Sequence, residues 1–101
     1  MIEVLALKVH DCDNVAVIFA ENVEAGMKVL VRDKKGNLQS LILKTAVPYG
    51  HKIAVADIPA GTPILKYGEE IGLSTKDITV GEHVHIHNLE SRRGRGDLNK
   101  G

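Results

Sequence analysis

The sequence has no tryptophan, one cysteine and only three aromatic rings, Phe19, Tyr49 and Tyr67. With so few rings the core has to be assembled from Val, Ile, Leu and Ala, and the stacking platforms that hold single-stranded nucleic acid are missing. A single thiol, Cys12, excludes an internal disulfide and any multi-cysteine metal centre. No apolar run approaches the roughly 18 residues of a membrane-spanning helix. The opening stretch MIEVLALKVHD alternates in polarity and lacks a basic segment ahead of an apolar one, so it does not read as a secretory signal. Thirteen basic side chains balance thirteen acidic ones, which leaves no overall field to draw in nucleic acid or an anionic membrane. These absences point to a cytoplasmic chain with neither a nucleic-acid nor a membrane partner.

What is present is short and β-branched. The 101 residues, 44% of them hydrophobic, suffice for one domain, whose modest core is poorly suited to enclosing a deep site alone. Strand-like runs occupy 4–9, 15–20, 27–31, 38–43, 52–55, 63–66, 71–73 and 84–86. Turn formers separate them: KKGN at 34–37, PYG at 48–50, PAG at 59–61 and YGEE at 67–70. VRDKKGNLQSL reads as a hairpin with Gly36 and Asn37 at its tip. No window holds a helical period, and one or two helical turns near 20–26 are the most the pattern allows. A unit recurs three times, as NVEAGMKV (22–29), DIPAGTPI (57–64) and DITVGEHV (77–84). In each, an Asx side chain can cap a tight turn, a branched apolar residue tucks inward, and Gly permits positive φ before a strand begins. The expected architecture is all-β, with residues 1–89 as the domain and 90–101 as a flexible basic Gly/Arg tail. RRGRG in that tail lacks nearby rings to stack bases, and a docking arm for a protein partner suits it better.

The chemistry concentrates in GEHVHIHN (81–88), where His83, His85 and His87 stand at every second position. On a strand, residues two apart share a side and lie about 6.6 Å apart. His85 and His87 could therefore share one metal ion, with bonds of about 2.0–2.1 Å. His83 and His87, roughly 13 Å apart on such a strand, could do so only near full stretch, which leaves His83 at the strand's beginning. Asn88 would point away if the strand continued, or turn back toward the pair if it ended. Two other segments offer partners: VHDCDN with His10, Asp11, Asp13 and Asn14, and YGHKI with His51 and Lys52. Imidazole with carboxylate suits iron, manganese or zinc, and Lys52 supplies positive charge for a carboxylate ligand. The plainer alternative is a solvated edge strand, with His10, Asp13, Asn14 and His51 serving only as turn residues.

Taken in order, these segments resemble the SAF-type domain of the altronate and galactarate dehydratases. That pattern falls here on His10, Asp13, Asn14, Val15 and Ala16; on residues 50–54, GHKIA; on Lys66, Tyr67, Gly68, Ile71 and Gly72; and on Val84, His85, His87 and Asn88. The likeness runs from about residue 8 to 89. Asp11 replaces a frequent proline, and LVRDKKGNLQSLIL is longer than the usual connection, which implies an extra hairpin. The resemblance implies a compact β-clip domain with long bent hairpins, acting as a small subunit beside a large catalytic dehydratase subunit. It further implies metal-assisted β-elimination of water from a sugar-acid carboxylate, with iron or manganese as the divalent metal. The sulfolactate sulfo-lyases, a sister family, have a similar small subunit, and a non-catalytic carbohydrate- or protein-binding module is a further alternative. On this reading His85 and His87 are metal ligands or proton carriers, and His51 and Lys52 meet the substrate carboxylate. His10, Asp13, Asn14 and Asn88 line the same mouth. A homo-oligomer is a further possible assembly.

Overall fold

Branched residues spaced between turn formers build nine short strands. The computed structural model describes residues 4–91. In order they are β1 (Val4–Lys8), β2 (Val15–Ile18), β3 (Lys28–Asp33), β4 (Leu38–Ile42), β5 (Lys52–Ala54), β6 (Pro63–Lys66), β7 (Glu69–Ser74), β8 (His83–Val84) and β9 (Leu89–Ser91). No described residue is helical. Where the sequence allows a helical turn, at 20–26, Asn22 and Gly26 instead take positive φ, and Val23 forms an isolated bridge with Val47. The domain continues through β9 to Ser91, two residues past the expected boundary; the rest of the tail lies outside the described residues.

The larger sheet runs β4-β3-β1-β2-β5-β8 and the smaller β6-β7-β9. Only β1 and β3 pair in parallel; their neighbours are antiparallel. Side chains alternate across a strand, so the large sheet has two distinct faces. Ala6, Ile18, Val31 and Ile53 look into one buried cluster that the loops around Val23 and Val47 close. Val15, Ala54 and Val84 look the other way, into a second cluster with Ile58, Ile64 and Ile78 that fixes the small sheet on that side. The extra hairpin at 33–37 forms as expected: Asp33 accepts the backbone N–H groups of Lys35 and Asn37, and Gly36 takes positive φ.

The repeat turns out to have four copies. In the three recognised ones, backbone bonds join Met27 N–H to Glu24, Thr62 N–H to Pro59 and Glu82 N–H to Thr79, each around a Gly of positive φ at 26, 61 or 81. Those are type II turns, which need positive φ at their third residue. His51 N–H to the Pro48 carbonyl, around Gly50, is the fourth. AVPYGHKI (46–53) hides in the sequence because Ala46 replaces the Asx. The copies embrace in pairs, through the bridges Val23–Val47 and Ile58–Ile78. In the second pair the Asx caps are exchanged: Asp57 accepts the N–H of Val80, and Asp77 that of Ala60. The copies that carry His51 and His83 belong to different pairs and meet through the β5–β8 ladder.

Candidate functional site

β5 and β8 pair antiparallel with Ile53 opposite His83. Residues directly opposite share a face, and His51, two before Ile53, lies on it too. The result is a close contact: His51 Nδ1 and His83 Nε2 are 2.9 Å apart, one ring donating and the other accepting. β8 ends at Val84, so the expected His83–His85–His87 row on a continuing strand does not form. A backbone bond from Asn88 N–H to the His85 carbonyl closes a tight turn there. Asn88 is buried, its Oδ1 accepting the His85 N–H and its Nδ2 donating to the His83 carbonyl. It thus shapes the backbone that presents the imidazoles, in keeping with the turned-back option rather than with a place among substrate contacts.

That turn folds His85 onto His51, with ring centroids 4.3 Å apart, and brings His87 to 5.2 Å from His83. His51, His83 and His85, all half-buried, each place a nitrogen within 4.8 Å of the others. His87 is exposed and stands outside this triad. The three-ligand group that the described residues bring together is therefore His51–His83–His85; of the expected pair, His85 lies in it and His87 outside it. Two nitrogens bound to one ion at about 2.1 Å are about 3.0–3.4 Å apart, close to the His51–His83 spacing. The donor set fits a divalent ion of the iron, manganese or zinc kind.

Electrostatics keep the triad ready for a ligand. Burial, and then the neighbouring His51, His87, His85 and Lys52, push the pKa of His83 down to about 4. Burial, His51, Lys52 and His87 lower that of His85 as well. Lys52 is depressed in turn, by its own burial and by Lys66. Both imidazoles therefore favour the neutral form near pH 7, in which a ring keeps one nitrogen able to accept a proton or an ion. For a base whose folded pKa is lowered, the unfolded chain binds the proton first. Stability should thus fall as pH drops from about 6.5 to about 4, the window set by His83, with His85 acting in the same direction. Thermal melts across that range should show the loss, and His83→Gln should flatten the profile.

The 10–14 segment goes elsewhere. Asp13 is buried, and its carboxylate accepts the N–H groups of His10, Tyr67 and Gly68. Tyr67 and Gly68 both take positive φ, the signature of a two-residue type I′ hairpin turn. For a tyrosine that conformation costs about 1–2 kcal/mol, which the buried carboxylate offsets. Asn14 joins the same assembly, donating to the Pro63 carbonyl and accepting the Leu65 N–H. The ring of His10 lies against Gly68 and lines a separate hollow of about 420 Å³ with Lys34, Lys35 and Tyr67. Of the residues expected at one mouth, the structure brings together His51, Lys52, His85 and His87, and places His10, Asp13 and Asn14 at the β6–β7 turn. His83 is the addition. Its signal was the antiparallel pairing of 52–53 with 83–84, which local spacing does not reveal.

The fold and the site together define an all-β domain with a cluster of imidazoles gathered at the pairing of β5 and β8. The chain belongs to the family described as the altronate/galactarate dehydratase SAF domain, which matches residues 4–92. It is 41% identical over 88 residues to the (2R)-sulfolactate sulfo-lyase subunit alpha of Chromohalobacter salexigens, covering 84% of this chain and 93% of that one. It is 40% identical over 94 residues to the altronate dehydratase of Escherichia coli, covering 93% of this chain but 17% of that one. With the galactarate dehydratase (L-threo-forming) of the same organism, identity is 42% over 78 residues, 77% of this chain and 14% of the relative. These relatives are lyases. Among the described residues, no helix is long and apolar enough to cross a membrane.

Proposed function

We propose that this chain is the small component of a two-component lyase, and that its imidazole cluster completes an active site whose other groups come from a larger catalytic chain. The observation that carries this reading is the convergence of His51, His83 and His85 beside Lys52 in a member of a dehydratase family. The reaction is β-elimination from a hydroxy carboxylate, a sugar acid in the dehydratase reading. The C–H bond α to the carboxylate breaks as a base takes the proton. The electron pair left behind forms the double bond, and the β-hydroxyl departs with a proton as water. Lys52, near enough to disfavour protonation of His83 and His85, attracts the substrate carboxylate, and an imidazole of the cluster that holds no metal holds or returns a proton. His51, His83 and His85 would hold a divalent metal, iron or manganese. When bound, such an ion supplies charge stabilisation to the enediolate oxygen.

A second reading has its own support. The match spans 93% of the sulfo-lyase subunit alpha, a chain of nearly this one's extent. There the leaving group would be sulfite, and the α-proton step is unchanged. Pairing this chain with the companion subunit of that sulfo-lyase, then assaying altronate, galactarate and sulfolactate, separates the two. Turnover of one class is expected, falling by about a hundredfold or more with His83→Ala. A pair equally active after His51, His83 and His85 are all changed to alanine would remove the cluster from the mechanism.

A further inference from the structure

The side of the large sheet that carries the second core beneath β6 and β7 is bare over β1, β3 and β4. Register sets its composition: Leu5 lies beside Leu30 and Ser40, Arg32 between Leu7 and Leu38, and Lys28 opposite Ile42. Leu5, Leu38 and Ile42 are exposed there, Leu38 to 63%. A contiguous apolar face on a sheet is normally covered by something. Among the described residues, the charges at these outward positions are cationic, Lys28 and Arg32, which a partner surface with acidic groups would complement.

The face continues past β1 to the end of β2. Phe19 follows β2, its N–H bonded to the Leu5 carbonyl, and packs edge-on against Tyr49 at 6.2 Å. Tyr49 is two residues before His51. On the far side of the cluster Ile86, between His85 and His87, is 82% exposed. In the altronate dehydratase relative, the matching region is 17% of the chain.

We propose that the outer face of β1, β3 and β4, continued through Phe19, seats the larger chain of the lyase, which presents an apolar surface with acidic groups facing Lys28 and Arg32. This rests on the reading of the chain as one component of a two-component enzyme. The test is co-expression with the companion subunit of the Chromohalobacter salexigens sulfo-lyase, with light-scattering mass and binding titration as readouts. The unsubstituted chain forms a complex. Leu5→Asp combined with Ile42→Asp weakens it about a hundredfold, while Lys76→Asp, on an exposed loop away from this face, changes it less than about threefold. Should the double variant melt early, Leu38→Asp alone carries the same expectation, at about tenfold. A complex that forms and ignores the face substitutions overturns the face and leaves the proposed function standing. No complex with the unsubstituted chain overturns both.

Discussion

Changing His83 to alanine is expected to weaken Mn²⁺ binding by about a hundredfold or more, measured by loss of the free-ion resonance on titration, both for the chain alone and for its pair with a larger subunit. Losing a supporting contact at a metal site already costs about 10–100-fold, and His83 is argued to be a ligand. Its Nε2 faces His51 Nδ1 at 2.9 Å, and its neutral form dominates near pH 7 because burial and the neighbouring cationic groups disfavour the proton. Binding at neutral pH therefore displaces no proton from His83. His87→Ala should change the affinity less than about threefold, since His87 is exposed and outside the triad. The opposite ranking, His87 essential and His83 dispensable, would restore the adjacent-pair arrangement and defeat the triad.

The second large effect lies in the backbone. Gly81→Ala is expected to cost about 3 kcal/mol or more, a drop of about 15 °C or more in melting temperature for a domain of this size. Gly81 has φ of +91, and a Cβ there would stand 2.2 Å from the Ile42 carbonyl oxygen. That approach exists because Gly81 is held on both sides, its N–H to Ala54 and its carbonyl to Lys44. Neither neighbour can give way without disturbing β5 or the end of β4. Gly26→Ala is the internal control: φ is +89, but nothing lies within 4 Å of its added Cβ. It should cost only the left-handed penalty of about 1–2 kcal/mol. Equal melting temperatures for the two variants would show that the tight approach at Gly81 is not real. Because Gly81 also leads into β8, its variant should lose metal affinity along with stability, whereas Gly26→Ala should not.

Much of this molecule is legible along the chain because its elements are local. Turn formers and β-branched runs predict strands at 4–9, 38–43 and 63–66, nearly where β1, β4 and β6 occur, and Asp33 with Gly36 specifies the hairpin between β3 and β4 through bonds no more than four residues apart. Three copies of the Gly turn are visible in the letters, and so is the family likeness. The fourth copy is not, because the Asx cap is absent at Ala46 while the backbone turn around Gly50 remains. A type II turn needs the glycine more than it needs the cap.

The site is where local spacing ceases to inform. A period of two places His83, His85 and His87 in one row only while the strand lasts. Whether it lasts depends on Asn88 finding the His83 carbonyl and His85 N–H, not on the spacing of the histidines. Likewise Asp13 and Asn14 look like binding residues beside His10, yet their polar atoms are consumed by backbone groups at 63–68, some fifty positions away in sequence. The residue types, the strands and the turns follow from short-range sterics and hydrogen bonding, and the amino-acid order contains them. Which imidazoles meet follows from the pairing of 52–53 with 83–84 across thirty residues. That pairing is selected by the burial of Ile53 and Val84 in two separate cores, a property of the folded whole.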